Sequence, residues 1–530
     1  MTTIGNAIYH QLSSCFDGCS LLAEIGETAH NAGGIQFVQT KLICDVLGRD
    51  GDVTSFEGGI RFFLNVFRNI KVLIVLDDVE EESHPHDLVG DQLDYRMIVT
   101  SENGGILQTY DSQDLVRTYE VKKMDNDRAL ELFHKHALGT HGLIPGYPEI
   151  GKRIIKAMGR VPFTIEVIGS FLHEKTIGDW REIEDLIKPR KENSREVLKD
   201  CREISKICYE ALDEKQKQIF WDIAWFANGE DSRIASYMWP EQDLLPSHHV
   251  LMPLVKIQAD NLLWMHKLLK HLSGSIDKGD PGRHSRLYMD NTKLEVINWE
   301  EGMEEVEVLC FDFKNRRPHE FTETNFKSLP NIRFLKIDHA RVSGNFANVF
   351  PKLRWLCWQG CPIDFETEQL RVLNLTGCTE LLISPPFSSF PKLEMLILEG
   401  CSWLVYLDPS IGGLKNLLCL NLKSCTELNM LPAEIGGLEA LKELLIDETS
   451  VQEIPLEGDL KKLETLCASN CLSLSLLPHS FEHLTSLTNL SVDNSKITKL
   501  SDGIGELVKL RCLSLRIAVG YENFQTPLAN

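Results

Sequence analysis

The feature that most restricts how this 530-residue chain can fold is a repeat in its C-terminal half. From about residue 330 a pattern L-x-x-L-x-L-x-x-C recurs. Its first apolar position falls at Ile332, Leu353, Leu370, Leu393, Leu417, Leu441, Leu463, Leu487 and Leu510. The intervals are 21, 17, 23, 24, 24, 22, 24 and 23 residues, so only the second is short. A weaker copy sits at Val306, Leu309 and Phe311. In each copy the last two apolar residues alternate with period two and point to one face of a short strand. A single copy cannot bury that face alone. Stacked copies share a continuous core, which makes the region a solenoid.

A period of about 20–29 residues with this spacing is that of a leucine-rich repeat. The position eight residues after the first leucine turns the chain and needs a small group that can satisfy backbone polar atoms. It is Cys361, Cys378, Cys401, Cys425, Thr449, Cys471 and Ser495. Cysteines in one register, on strands stacked about 4.8 Å apart, could also be read as metal ligands or disulfides. A structural ladder is the better reading, because this turn takes Asn or Cys in such repeats generally. The remaining strand residues point outward along the concave side. They include Arg354, Trp355, Arg371, Asn374, Glu394, Met395, Lys442, Glu443, Glu464, Asn489 and Arg511, a mixture suited to a protein partner. The final stretch, IAVGYENFQTPLAN, shows neither a further repeat nor the polar cap that a solenoid end needs.

Composition removes several classes of function. The net charge of −22, without a long Lys/Arg block, argues against nucleic acid as a partner. Fifteen cysteines without small-scaffold spacing suit reduced cytosolic thiols. No apolar run approaches the length of a membrane span, and the first residues do not read as a signal peptide. The expected location is therefore cytoplasmic, with nuclear entry left open.

The N-terminal half alternates. FFLNVFRN reads as helix, and KVLIVL as a parallel strand covered on both faces. YRMIVTSEN gives another strand, and DNDRALELFHKHAL a helix. Such alternation implies an α/β sheet. After about residue 125 the pattern is helical through 270, and DKGDPGRHS, 277–285, is a turn-rich linker. Asp77 and Asp78 end the buried strand. An acid there can hold a magnesium-bound water near a nucleotide phosphate, or can simply close a strand into a loop. His84, His86 and Asp87 suggest a metal site but lack a distant third partner. His134 and His136 read as packed helix histidines.

These segments, in this order, resemble the plant intracellular disease-resistance receptors of the TIR–NB-ARC–leucine-rich-repeat type. AIYHQLSSCFDGCSLLAEIGETA and GGIQFVQTKLICDVL are similar to the segment just after that family's phosphate loop. KVLIVLDDV resembles its Walker B strand and YRMIVTSEN its sensor strand. YEVKKMDNDRALELFHKHAL, VPFTIEVIGSFL, LDEKQKQIFWDIAWFANGED, WMHKLLKHL and PGRHSRLYM resemble its later motifs, the last being the linker before the repeats. The resemblance implies a multidomain chain: an α/β P-loop-NTPase-like (NB-ARC) remnant over 1–122, helical and winged-helix subdomains over 123–195 and 196–285, then a leucine-rich-repeat α/β solenoid over 286–520.

For the site, the resemblance implies ADP or ATP with magnesium in the family, at positions matched here by Thr2, Thr3, Asp77, Asp78, Pro162 and His266. The matches depart from the family in places. Met1, Thr2 and Thr3 stand where Lys-Thr-Thr ends the glycine loop, so neither that loop nor a TIR domain is expected, and with the latter no NAD cleavage. The strand before the loop belongs in mid-sheet, and its loss should leave two unpaired edges. Glu102 stands in place of a sensor arginine and Lys267 in place of the Asp of Met-His-Asp. Arg160, Val161, Pro162 and Phe163 replace Gly-Leu-Pro-Leu. Nucleotide binding is accordingly expected to be impaired and ATPase activity absent. The family implies recognition of a pathogen or host protein by the repeats. The alternative is a non-switching repeat protein, or an adaptor paired with a full-length receptor.

Overall fold

The computed structural model describes residues 2–23, 25–29, 34–47, 70–81, 83–89, 95–101, 103, 105, 117–138, 146–187, 197–239, 253–258, 261–275, 285–289, 303–312, 319–338, 340–346, 349–358, 365–455, 460–475, 483–497 and 502–516. The chain divides into two compact units, Met1–Lys123 and Met124–Asn530. Glu102, Cys361 and the stretch 517–530 lie outside the described residues.

The first unit runs α1 (Thr2–Leu12), β1 (Gly18–Leu22), α2 (Ile25–Ala29), α3 (Gly34–Leu47), β2 (Val72–Leu76), α4 (Ser83–Val89) and β3 (Tyr95–Val99). The strands form a parallel sheet in the order β1-β2-β3. Every residue of β2 is buried, as an unbroken apolar run demands of a strand covered on both faces. Val72, Ile74 and Leu76 join Val38, Leu42 and Ile43 of α3 in one core. Among the described residues the unpaired edges expected on β2 and β3 are not found where these two strands face each other. β2 and β3 pair directly, from Val72 opposite Tyr95 to Leu76 opposite Val99. The Thr100 N–H continues the ladder to the Leu76 carbonyl (2.9 Å). Adjacent parallel strands meet each other's N–H and C=O groups along this ladder.

The second unit begins with α5 (Asn126–Ala137), α6 (Tyr147–Ala157), α7 (Pro162–Phe171), α8 (Ile177–Ile187), α9 (Val197–Glu210) and α10 (Glu214–Asp222). A π-turn at Ile223–Ala227, α11 (Ser232–Ala235), a hairpin of β4 (Lys256–Ile257) and β5 (Leu263–Trp264), and α12 (Lys267–Ser275) come next. Helix starts are written in the sequence. The Asp125 carboxylate accepts the Arg128 N–H, and Asp213 with Gln216 forms a capping box on α10. At Gly169 a Cβ would come within 2.9 Å of His136 Cβ, so α5 and α7 pack this closely only with glycine there.

The repeats build an eleven-stranded parallel sheet. It starts with β6 (Arg286–Met289) and β7 (Val308–Asp312), before the strong pattern begins. β6 lies in the PGRHSRLYM stretch that resembles the family's linker and at the first residues of the expected repeat span, 286–520; its segment RLYM pairs with β7 at the edge of the sheet. A separate pair, β8 (His319–Thr322) and β10 (Ala340–Ser343), flanks α13 (Glu323–Lys327) and β9 (Phe334–Asp338). The sheet continues through β11 (Trp355–Trp358), β12 (Val372–Asn374), β13 (Met395–Ile397), β14 (Cys419–Asn421), β15 (Glu443–Leu445), β16 (Thr465–Cys467), β17 (Asn489–Ser491) and β18 (Cys512–Ser514). Leu335, Leu356, Leu373, Leu396, Leu420, Leu444, Leu466 and Leu490 line its core.

The ladder residues are structural. The thiols of Cys378, Cys401, Cys425 and Cys471 donate to the carbonyls of Trp358, Leu375, Leu398 and Ile446 in the preceding repeat, at 3.3, 3.2, 3.1 and 3.0 Å. None of the four is in a disulfide. The residue before each turn is left-handed: Gly377 and Gly400 (φ 72°), then Ser424 (56°), Glu448 (59°), Asn470 (60°) and Asn494 (53°).

Candidate functional site

In the first unit the end of β2 carries Asp77, which is buried, and Asp78, whose backbone is left-handed (φ 65°). The Thr100 hydroxyl donates to Asp77 Oδ1, and the Asp78 N–H donates to Thr100 Oγ1 (3.0 Å). A Cβ on Gly5 would lie 3.5 Å from Thr100 Cγ2 and 4.0 Å from Asp77 Oδ1. The first turns of α1 therefore sit directly over the two strand ends. Thr2 and Thr3 open α1, but their side chains lie outside what is described. His84 is buried beside Glu81 (3.8 Å), and the side chains of His86 and Asp87 lie outside the described residues. Among the described residues no three His, Cys, Asp or Glu side chains converge as metal ligands.

In the second unit Pro162 occupies the first helical position of α7, where its missing N–H goes unneeded. That start places Phe163 against His266: the rings stack with centroids 4.1 Å apart, and Trp264 meets His266 edge-on at 5.8 Å. His266 Nδ1 accepts the Leu268 N–H (3.2 Å), which leaves the proton of a neutral ring on Nε2. Burial, reinforced by Lys267 and Lys256, pushes its pKa down to about 4, so the ring is neutral at pH 7. Beside it Glu166 bonds Lys256 (2.8 Å) and faces His136 (3.5 Å), while Lys256 lies over Trp264. The cavity lined by Phe163, Glu166, Ser170, Lys256, Trp264 and His266 measures about 10 Å³, room for about one water. Pro162 and His266 are thus brought to one place. His136 packs among Ser170 and Glu166, and burial lowers its pKa and that of His134.

The concave strand face is divided. Val308, Cys310, Phe334, Trp355, Cys357, Val372, Met395 and Cys419 point away from the solenoid core, yet all are buried in a core shared with the helices. Trp355 stacks on Phe334 (4.0 Å), which meets Phe226 after α10. Trp355 and Met395 were expected on an open recognition face, and this is corrected. The column they share is apolar through β14, so burying it under the helical region is favourable. Arg371 and Glu394 pair with each other at the border, and Tyr237 hydrogen-bonds Glu394. Arg354 and Asn374 are half-buried. At β15 the column turns polar, and Glu443 pairs with Arg233 of α11. Beyond it Lys442 bonds Glu464 (3.2 Å), and Asn489 and Arg511 are exposed. The floor between them is small and polar: Thr465, Ser469 and Ser491, with Ser514 bonded to Asp493.

A buried charge cluster fastens the covered half, and the sequence reading passed over it. Asp222, fully buried at the end of α10, accepts from Arg286 Nε (2.6 Å), Arg333 (2.8 Å) and Trp239 Nε1 (2.8 Å). Arg286 belongs to β6 and Arg333 immediately precedes β9. Burial alone would raise the Asp222 carboxyl, but the two guanidiniums outweigh it and hold it below the usual carboxylate range. The signal was present: a lone acid inside the apolar run IFWDIAWF must be paired if that run is buried.

Comparison with known proteins agrees with the repeats. A family model described as "Leucine-rich repeat region" matches residues 369–530. Disease resistance protein RUN1 of Vitis rotundifolia is 26% identical, over 78% of this chain and 36% of its own length. TMV resistance protein N of Nicotiana glutinosa is 26% identical, over 79% of this chain and 39% of its own. Disease resistance protein RPP5 of Arabidopsis thaliana is 28% identical, over 79% and 31%. The resemblance seen in the sequence thus holds, and the chain spans about a third to two fifths of the length of these curated relatives. Among solved structures, the leucine-rich repeat domain of the type III effector XopL is 16% identical, covering 62% of this chain and 98% of that one, with a TM-score of 0.30. Among the described residues no helix is long and apolar enough to cross a membrane.

Proposed function

We propose that this chain acts in plant defence, like the disease resistance proteins it resembles, by recognising a protein on the open part of its concave face, and that it does so without a nucleotide switch. The observation that carries recognition is the change of the outward column from apolar and covered at Cys419 to polar and uncovered beyond Glu443. Small floor residues leave room for a partner's bulky side chains, and Glu464, Asn489 and Arg511 supply oriented polar contacts.

The residues present fit ADP and magnesium poorly. Phe163 covers the ring of His266, the cavity beside it holds about one water, and a nucleotide pocket needs roughly 300 Å³ or more. A neutral His266 lends a phosphate no positive charge, only the Nε2–H, and one Asp77 oxygen is engaged by Thr100. These features favour the non-switching reading over that of an ADP/ATP switch.

Two measurements test the proposal. The purified chain is denatured and adenine nucleotide is quantified by chromatography. Far less than one nucleotide per chain is expected, and one per chain refutes the nucleotide-free reading. For recognition, proteins cross-linked to the tagged chain in leaf tissue are compared with those cross-linked to Asn489→Arg/Arg511→Glu. Loss of specific partners from the variant is expected, and an unchanged set contradicts recognition on this face.

A further inference from the structure

Beyond the ladder residue each repeat turns back from its strand, and over three consecutive repeats this return segment is apolar and exposed. Leu382, Ile383, Trp403, Val405, Tyr406 and Met430 range from 41% exposed (Tyr406) to 60% (Met430). They stand in register: Ile383, Tyr406 and Met430 each lie five residues after Cys378, Cys401 and Cys425. Ile383 and Tyr406 form a parallel bridge, and the Val405 N–H donates to the Leu382 carbonyl (3.0 Å). The Glu427 N–H reaches the Ser402 carbonyl (3.2 Å) beside Trp403. Backbone pairing between repeats thus holds these side chains in one preformed patch, unlike scattered surface apolar residues that need no explanation.

The charge around the patch has one sign. Trp403 lies two residues past its ladder position, and the same position in the repeats on either side is Glu380 and Glu427, both exposed. Glu453 of the next repeat is exposed as well. No Lys, Arg or His occurs in 379–391, 402–414, 426–441 or 449–455.

We propose that this patch docks a basic, apolar segment of a partner protein, one that alternates Lys or Arg with aliphatic or aromatic side chains. The apolar centre gains by losing water, and the acidic rim selects the sign of the partner. The same rim disfavours a second copy of this chain placed face to face, since like charges would meet across a twofold axis. It also repels an anionic lipid surface. This surface is separate from the concave face, so the proposal stands or falls independently of recognition there.

The test uses the full chain and fluorescein-labelled peptides of alternating Lys and Leu, with Glu–Leu and Lys–Ser peptides as controls, read by fluorescence anisotropy. Only the Lys–Leu peptide should bind. Trp403→Ser/Met430→Ser should weaken it about ten-fold or more, as loss of anchors at the centre of an interface does. Glu380→Lys/Glu427→Lys alters only exposed side chains, so the fold is kept, and it should weaken binding similarly and flatten its salt dependence. Asn489→Arg on the concave face should leave it unchanged. Equal binding of the Glu–Leu peptide, or indifference to both double variants, overturns the proposal. So does self-association in sedimentation that Trp403→Ser/Met430→Ser abolishes, or binding of phosphatidylserine vesicles that requires the same residues.

Discussion

Repeats up to β14 and repeats from β15 onward share one backbone plan and one buried leucine column, but their outward columns differ in chemistry. In the first group the column reads Val308, Phe334, Trp355, Val372, Met395 and Cys419, and the helical region covers it. In the second it reads Glu443, Thr465, Asn489 and Cys512, and the side chains past Glu443 are half-buried or exposed. The lesson is that the inward residues of a solenoid fix the fold, whereas the outward ones decide whether a face becomes an internal joint or a surface for partners. The buried cluster at Asp222 and the pair Arg233–Glu443 lie at the two ends of the joint.

The largest expected effect breaks the joint. Asp222→Asn leaves Arg286 and Arg333 buried without a carboxylate, and should cost about 3–5 kcal/mol, read in denaturant unfolding. Because the Asp222 pKa is lowered in the fold, its stabilisation is present above the unfolded value of about 3.9 and is lost as pH falls through the folded value. An Asp222→Asn protein as stable as the parent would remove the proposed anchor.

Next comes a matched pair across the divide. Trp355→Ala should cost about 3–5 kcal/mol, since it opens a cavity against Phe334. Asn489→Ala, at the equivalent position of the open group, should stay within about 0.5 kcal/mol. Equal effects would erase the comparison.

A smaller effect concerns the helical side of the joint. The His266 pKa is lowered from 6.5 to about 4, so its contribution is full above pH 6.5 and declines as pH falls towards 4. The loss should be about 3 kcal/mol across that window, and His266→Phe should abolish this dependence. A titration that His266→Phe leaves unchanged places the effect on another group. The smallest effect lies in the open group. Glu448 holds a left-handed backbone (φ 59°), and Glu448→Asn should gain about 0.5 kcal/mol, offset in part by the lost bond from Ser424.

How much of this was legible depended on whether the signal was periodic or paired at long range. The leucine column, the ladder thiols and strand β2 follow local periods, and they were read correctly. The division of the concave face was not. Trp355 and Met395 occupy the same motif position as Asn489, and only the run of apolar outward residues from Val308 to Cys419 marks them as covered. The expected repeat span began at 286, but β6 itself was not read as a strand there because its four residues, RLYM, carry too little pattern. The direct pairing of β2 with β3 was missed because the family's strand order was assumed where backbone hydrogen bonding governs. In the candidate site, Pro162 and His266 were seen to belong together, but Phe163 was read only as a departure from a motif, although its ring is what covers His266.

The division of the concave face is tested most directly by alkylating the native chain and mapping the modified cysteines by mass spectrometry, since the outward columns contain thiols on both sides of the divide. Cys310, Cys357 and Cys419 are buried under the helical region, burial pushing Cys419 up to about 12, whereas Cys512 is exposed on β18. Rapid modification of Cys512 with protection of Cys357 and Cys419 until the chain unfolds is the predicted result. Modification of Cys357 and Cys419 at the rate of Cys512 would contradict the account, because the apolar half of the face would then be open.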